Sequence, residues 1–295
     1  MLKEKILNRE DGILLYALTP PKAAFEESKL RDIANRWSDR INSIPAEGLA
    51  LYDIQDESSR TNDERTFEFS DTLSPEVYYK DYLNVGVPSV FYSVVGKYRE
   101  SEFRSNLISN SSNLHVFVGA ASSRAKTNLG LDKAYEIARD EFEDLITGGI
   151  CIAERHFKNG SEHERMAQKI ALGAKFFISQ AVYDVKMAEN LLQDVARANL
   201  KAPIIFTFST CGTQKTLEFI KWLGISIPHL VEKRLAQSDD MLKTSTEICV
   251  ENFSKLSKIA NNLGVSIGAN IESVMAKRAE IEASLELTHK IKAFI

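Results

Sequence analysis

Residues 149–184 read GICIAERHFKNGSEHERMAQKIALGAKFFISQAVYD and predict a strand, a helix and a second strand in succession. The apolar run 149–153 ends at the charged cluster 154–156, and the run 175–180 ends in an amide. Between them, Ser161 is placed to cap the predicted helix. Polar residues therefore follow two successive buried strands, which is where parallel sheets and barrels of the α/β class bind ligands.

The rest of the chain repeats this alternation of short apolar runs with helical periodicity. The eight predicted strands occupy residues 12–17, 48–54, 88–94, 114–120, 149–153, 175–180, 202–208 and 265–271. Near-continuous apolar strands indicate burial on both faces and hence a parallel sheet. Eight such units predict an α/β fold with one domain, a single (β/α)8 TIM barrel over residues 1–295. The rival, an open doubly wound sheet, favours a GxGxxG turn, which the sequence lacks.

Two glycines set the predicted boundary between a helix and the fifth strand. Residues 131–146 are predicted to form a helix, and Gly148 and Gly149 are predicted to end it. The next strand would then begin at Gly149.

Composition excludes several classes of protein. The net charge of −4 and the lack of a basic stretch argue against nucleic-acid binding. The mean hydropathy is −0.21 and the apolar runs are of strand length, so no membrane span is expected. The N-terminus has no apolar signal core, and three widely spaced cysteines favour a reducing compartment, so a cytoplasmic location is expected. The sequence leaves open whether the protein is a homo-oligomer.

The barrel prediction places functional side chains just after each strand. These rim residues are Thr19, Pro20, Pro21, Lys22, Asp53, Gln55, Asp56, Ser59, Arg60, Ser93, Ser122, Ser123, Arg124, Glu154, Arg155, His156, Gln180, Tyr183, Asp184, Ser209, Thr210, Asn270, Glu272 and Ser273. They lack three clustered ligands at metal spacing, so no metal is assigned. The other histidines, His163 among them, are expected to be surface or packing residues. Pattern alone thus predicts a barrel with a polar site for a small molecule.

Several segments together resemble the methylenetetrahydrofolate reductase family. YALTPPK at 16–22 is similar to that family's opening strand, which typically reads like FEFFPPR. The ERH at 154–156 and the FFISQ at 176–180 resemble the family's fifth and sixth strand ends, at similar spacing. The polar segment within 48–66 also looks like the family's second strand and loop.

The resemblance implies an FAD-dependent TIM barrel that passes a hydride from NADH or NADPH through the flavin to 5,10-methylenetetrahydrofolate, giving 5-methyltetrahydrofolate. Its partners would be a tetrahydrofolate derivative and NAD(P)H. The implied FAD contacts are His156, Glu162, Arg165, Lys169, Ser122 and Asp53. The implied substrate contacts are Gln180, Tyr183 and Gln55, since an amide can both donate to and accept from a pterin or nicotinamide.

The chain departs from the family where acids are expected. Ala17 stands where the family has the glutamate proposed as its general acid, and Ser122 stands where it has an aspartate. Glu154 is the first candidate for the missing catalytic acid, with Asp53 as another. Two further possibilities are a different one-carbon substrate, or a barrel that binds folate or flavin without carrying out this reduction.

Overall fold

The computed structural model describes residues 1–56, 65–120 and 126–295. Eight parallel strands close into a barrel in sequence order, and β1 pairs with both β2 and β8. The strands are β1 Leu14–Leu18, β2 Gly48–Leu51, β3 Ser89–Val94, β4 Leu114–Val118, β5 Ile146–Cys151, β6 Phe176–Ala181, β7 Ile204–Thr210 and β8 Ile267–Ser273. The predicted single (β/α)8 barrel is confirmed.

Helices surround the barrel. They are α1 Leu2–Asn8, α2 Glu27–Asn42, α3 Pro75–Val77, α4 Glu100–Ser109, α5 Leu131–Glu141, α6 Ala153–Asn159, α7 Glu162–Ala171, α8 Val185–Arg197, α9 Gln214–Trp222, α10 His229–Ala236, α11 Met241–Leu263 and α12 Arg278–Lys292. A π-helical turn, Tyr78–Tyr82, continues α3, and a 3-10 turn, Val95–Lys97, follows β3. In the described ranges, no helix has the length and apolar character needed to cross a membrane.

Two apolar layers account for the near-continuous hydrophobic strands. Alternate residues such as Leu15, Ala50 and Val116 fill the barrel interior, because successive side chains of a strand point to opposite faces. The intervening residues, such as Leu49 and Phe117, pack outward against the helices in the larger core cluster. Both faces of the sheet are therefore buried, as in other parallel barrels.

The predicted boundary at Gly148 and Gly149 is wrong. The helix α5 ends at Glu141, and both glycines lie inside β5. A Cβ added at Gly148 would lie 2.6 Å from the Phe176 ring, and one at Gly149 would lie 2.7 Å from the Tyr135 hydroxyl. These glycines are therefore required by close packing around β5. In the sequence, a glycine pair of this kind looks the same as one that ends a helix.

The charged cluster after β5 is helical, which the sequence reading did not anticipate. Residues 154–156 lie within α6, which ends at Gly160 in the left-handed conformation (φ 66°). Only after this turn does α7 begin, at Glu162. As a result, the side chains of α6 are distributed around a helix and do not all face the end of the barrel.

Candidate functional site

A chain of polar side chains runs from the middle of β7 and β8 to the carboxyl ends of β8 and β2. The Tyr52 hydroxyl, just past β2, donates to Glu272 Oε2 at 2.6 Å. The Asn270 amide Nδ2 donates to the Tyr52 hydroxyl at 3.0 Å and to Thr207 Oγ1 at 3.1 Å. Carboxyl ends of strands are where TIM barrels bind their ligands, so we call Tyr52, Thr207, Asn270 and Glu272 the mouth cluster.

Ala17 lies directly beside the mouth cluster. Its backbone is in register with Glu272 across the β1–β8 pair, so the two side chains share one face of the sheet. The side chain of Ala17 is 1% exposed and belongs to the apolar interior of the barrel. The acid absent at position 17 is therefore matched by an acid on the adjacent strand.

The surroundings of Glu272 change the pKa of its carboxyl group. Burial raises the pKa of Glu272 above 4.5, and the hydrogen bond from Tyr52 opposes that rise. Burial, together with the negative charge of Glu272, raises the pKa of Tyr52 well above its ordinary value. Tyr92 packs edge-on to Tyr52 with ring centroids 4.7 Å apart, which adds an aromatic wall. A carboxyl group with a raised pKa is suited to donating a proton.

One acceptor in the mouth cluster is unused. Asn270 is fully buried, and its Oδ1 has no hydrogen-bond partner among the described residues. Ser209 lies two residues after Thr207 on β7. Its hydroxyl is also buried and has no hydrogen-bond partner among the described residues. Buried polar atoms are normally satisfied, so these atoms favour a ligand or ordered water at this end of the barrel.

Glu154, the first candidate for the catalytic acid, lies elsewhere. Its Oε1 accepts a hydrogen bond from the Ser226 backbone N–H at 3.1 Å, which ties α6 to the segment between α9 and α10. Burial raises the pKa of Glu154, and the bond from Ser226 opposes that rise. In the described chain, no hydrogen bond joins Glu154 to the mouth cluster. Glu272 also has a raised pKa, and it lies beside Ala17.

Three residues expected to contact FAD are engaged inside the protein. Glu162 is fully buried, forms an ion pair with Arg155 and accepts from the Ile152 backbone N–H at 3.1 Å. Lys169 Nζ donates to the Ile150 carbonyl at 2.7 Å, and burial lowers its pKa. His156 is 4% exposed, and its Nε2 lies 3.2 Å from Asp194 Oδ2.

These contacts do not fit a flavin site at the end of the barrel. The polar atoms of Glu162 and Lys169 hold α7 to β5 and to the start of α6, because a buried charge requires partners. His156 faces α8, where Asp194 lies. Of the expected helix contacts, Arg165 alone is exposed, on α7. The spacing of these residues resembles a cofactor motif, but their directions serve the packing of helices.

Of the two remaining residues expected to contact the cofactor, only Asp53 lies in the part of the chain that the structure describes. Asp53 Oδ2 accepts from the Val94 backbone N–H at 2.8 Å, and its other oxygen pairs with Lys97. Asp53 also lines a cleft of about 470 Å³ with Ser74 and Tyr98, among others. This cleft lies beyond the ends of β2 and β3. Ser122 lies outside the described residues.

The three expected substrate contacts take part in backbone hydrogen bonds. Gln55 Nε2 donates to the Gly119 carbonyl at 3.1 Å, and Gln180 Nε2 donates to the Leu223 carbonyl at 2.9 Å. Tyr183 is 2% exposed and its hydroxyl donates to the Ser209 carbonyl at 2.5 Å. Both the ring and the hydroxyl of Tyr183 are therefore enclosed by the protein.

The sequence reading found half of the mouth cluster and missed the rest. Asn270 and Glu272 were among the predicted rim residues, but without an assigned role. Tyr52 and Thr207 were read as parts of apolar strands. The alternation of polar and apolar residues along β8 could have identified the cluster, because Asn270 and Glu272 are successive residues on the interior face. Polar residues at alternate positions of an otherwise apolar strand indicate one polar end of the barrel.

A closed parallel barrel of eight strands, with a partly buried polar cluster towards its carboxyl end, defines a TIM-barrel protein. The methylenetetrahydrofolate reductase family model matches residues 153–288. A solved structure is 42% identical, with a TM-score of 0.88, and the match covers 100% of both chains. It is described as an uncharacterized protein from Clostridium thermocellum that binds two copies of 5-methyl-5,6,7,8-tetrahydrofolic acid. The chain belongs to the methylenetetrahydrofolate reductase family.

A curated relative matches over a shorter length. Lysine–tRNA ligase of Buchnera aphidicola subsp. Schizaphis graminum (strain Sg) is 26% identical over 170 residues, and the match covers 53% of this chain. The matched region is 31% of that protein's length. This similarity therefore supports no conclusion about activity.

Proposed function

We propose that the mouth cluster binds a reduced folate and that the protein acts in folate one-carbon metabolism. The observation that carries this proposal is the hydrogen-bonded polar chain of buried Asn270 with partly buried Tyr52 and Glu272, above an apolar barrel interior. The Clostridium thermocellum relative, which matches over its whole length, binds 5-methyltetrahydrofolate and supports the same ligand class for this chain.

The chemistry of the mouth cluster suits a pterin ring. The pyrimidine edge of a pterin presents adjacent N–H donors, and a carboxylate accepts two parallel hydrogen bonds from such an edge. Glu272 supplies that carboxylate, and Asn270 Oδ1 is a further acceptor. Tyr52 and Tyr92 offer aromatic surface against which a flat ring packs. When Glu272 is protonated, it donates instead, for example to a ring nitrogen of the folate.

Family membership favours a second candidate, the FAD-dependent reduction of 5,10-methylenetetrahydrofolate by NAD(P)H. In that reaction, the raised pKa of Glu272 suits a general acid that protonates a ring nitrogen as the five-membered ring opens. Glu272 would then replace the family acid absent at Ala17. Because Glu162, Lys169 and His156 are engaged in protein contacts, no flavin step is assigned to them. Only this second candidate function would use NADH or NADPH as a substrate.

Calorimetric titration with 5-methyltetrahydrofolate tests the first proposal. The wild type is expected to bind, and Glu272→Gln is expected to bind about 10-fold or more weakly, because a hydrogen bond to a charged group is worth about 1.5–3 kcal/mol. Glu164→Gln, which changes an exposed carboxylate on α7, is the matched control and is expected to bind like the wild type. A wild type that binds no reduced folate would overturn the proposal.

A visible spectrum separates the two candidates. Protein that retains FAD, or takes it up on reconstitution, absorbs blue light, and its flavin is then expected to be reduced by NADH or NADPH. Binding of 5-methyltetrahydrofolate by protein that neither holds nor takes up FAD would support folate binding without this reduction.

A further inference from the structure

Three helices outside the barrel bring two imidazoles and a carboxylate together. His156 lies on α6, His163 on α7 and Asp194 on α8. One ligand atom from each of these residues lies within 4.8 Å of the others. The rings of His156 and His163 meet edge-on with centroids 5.5 Å apart. The three side chains thus converge on one point between α6 and α7, which follow β5, and α8, which follows the neighbouring strand β6.

The two imidazoles carry unused nitrogens. His156 is 4% exposed, and its Nδ1 has no hydrogen-bond partner within the described ranges. Nδ1 of His163 is likewise buried and without a partner in those ranges. An unsatisfied buried nitrogen is unfavourable, and buried polar atoms of this kind require an explanation such as an ion or ordered water. In His156 it is Nε2 that faces Asp194, so the unpaired Nδ1 of His163 is the observation that is independent of the clustering.

We propose that His156, His163 and Asp194 form a binding site for a divalent transition metal of the Zn²⁺ type. Neutral imidazole and carboxylate are ligands that Zn²⁺ takes in proteins, at about 2.0–2.2 Å. Tetrahedral bonds of that length separate neighbouring ligand atoms by roughly 3.3–3.6 Å. His156 Nε2 and Asp194 Oδ2 already lie 3.2 Å apart. Water would complete the fourth position.

Contacts around the carboxylate favour this arrangement. Arg197 Nη1 donates to Asp194 Oδ1 at 2.6 Å, which orients the carboxylate and leaves Oδ2 toward His156. Partners of this kind commonly hold metal ligands in place. The positive charge of Arg197 opposes a cation, but its side chain is 74% exposed, so solvent and salt screen that charge.

The site differs from the mouth cluster in place and in role. Its ligands come from α6, α7 and α8, and none of them belongs to a barrel strand. A bound ion would cross-link these three helices and hold their packing, because binding to a site that exists only in the folded protein contributes to folding free energy. The residues after the strands predicted no metal site, whereas these three ligands become neighbours only through helix packing. The inference does not depend on the proposed folate function.

Metal titration of the untagged, metal-stripped protein tests this inference. Co²⁺ serves as a coloured probe of a Zn²⁺ site, and the wild type is expected to bind one Co²⁺ per chain with visible absorption that Zn²⁺ abolishes. The melting temperature is expected to rise with added Zn²⁺, because an ion that binds only the folded state stabilises it.

Two variants and one control decide the outcome. His163→Gln and Asp194→Asn are each expected to weaken Co²⁺ binding at least 10-fold, since even changes next to metal ligands typically cost 10–100-fold in affinity. The control is His229→Gln, which changes an exposed histidine on α10 and is expected to bind like the wild type. A wild type without stoichiometric Co²⁺ or Zn²⁺ binding would overturn the inference. Unchanged affinity in a folded His163→Gln variant would also overturn it.

Discussion

Ala17 and Glu272 are paired residues on β1 and β8, the two strands that close the barrel. One carries a methyl group and the other a carboxyl group whose pKa is raised by burial. The family resemblance expects an acid on the first strand, and this chain instead has one beside that position on the last strand. An acid is therefore present at this end of the barrel, but a different strand supplies it.

Restoring an acid at position 17 is expected to destabilise the protein. In Ala17→Glu, a second carboxyl enters a well-packed interior beside Glu272, at a strand spacing of about 4.8 Å. The free energy of unfolding is expected to fall by about 1–3 kcal/mol from overpacking, with a further loss from repulsion between the two carboxyls.

Denaturant unfolding of a double-mutant cycle measures that repulsion. The variant Ala17→Glu/Glu272→Gln is expected to lose less stability than the sum of the two single changes, because one carboxyl of the interacting pair is gone. Losses that add to within about 0.3–0.5 kcal/mol would mean that the two side chains do not interact.

The raised pKa of Glu272 predicts a defined dependence of stability on pH. In the window above 4.5, the folded state holds this proton while the unfolded state releases it. The free energy of unfolding should therefore fall as pH rises, with a slope of at most about 1.4 kcal/mol per pH unit for this group. Subtracting the curve of Glu272→Gln isolates this contribution from the other titrating groups. A difference that grows with pH in this window would contradict the assignment.

His115 is expected to show the opposite dependence. Burial lowers the pKa of its imidazole to about 4 from 6.5 in the folded protein, although the carbonyl of Asn110 lies 3.1 Å from Nε2. The unfolded state binds this proton first, so stability is lost as pH falls from 6.5 towards 4. NMR titration of the folded protein measures it directly. A ring that becomes protonated near pH 6.5 would refute the burial argument.

The ion pair of Glu162 with Arg155 distinguishes a structural role from a cofactor role. Glu162→Gln leaves the guanidinium without its buried partner, and the free energy of unfolding is expected to fall by roughly 3 kcal/mol. Glu164→Gln, on the exposed face of the same helix, is expected to change it by less than about 0.5 kcal/mol. Chemical denaturation measures both. A Glu162→Gln variant with unchanged stability but weakened FAD binding would restore the cofactor role.

Close packing around β5 predicts a contrast between two glycines. In Gly149→Ala, the new Cβ would meet the Tyr135 hydroxyl at 2.7 Å and Lys169 Cδ at 3.0 Å. A loss of about 1–3 kcal/mol in the free energy of unfolding is expected from this overpacking. Gly130→Ala is the matched control, since its Cβ would meet nothing within 4 Å and its φ is −78°. Equal stability of the two variants would show that the Tyr135 contact adjusts without cost.

The sequence alone was sufficient to predict the barrel and its eight strands. Burial on both faces of a parallel strand is a local pattern, so runs such as 204–208 and 267–271 carry it without reference to the rest of the chain. Local signals were also the source of the errors. Gly148 and Gly149 read as a helix end because a glycine required by packing in a strand looks the same in the sequence.

Only the tertiary structure decided which polar residues form the site. Ala17 and Glu272 lie near opposite ends of the chain and become neighbours when β1 and β8 pair. The directions of Glu162 and Lys169 depend on how α7 packs against β5, and helical spacing does not determine them. A sequence pattern indicates the element on which a residue lies, whereas the closure of the barrel determines which side chains meet at its end.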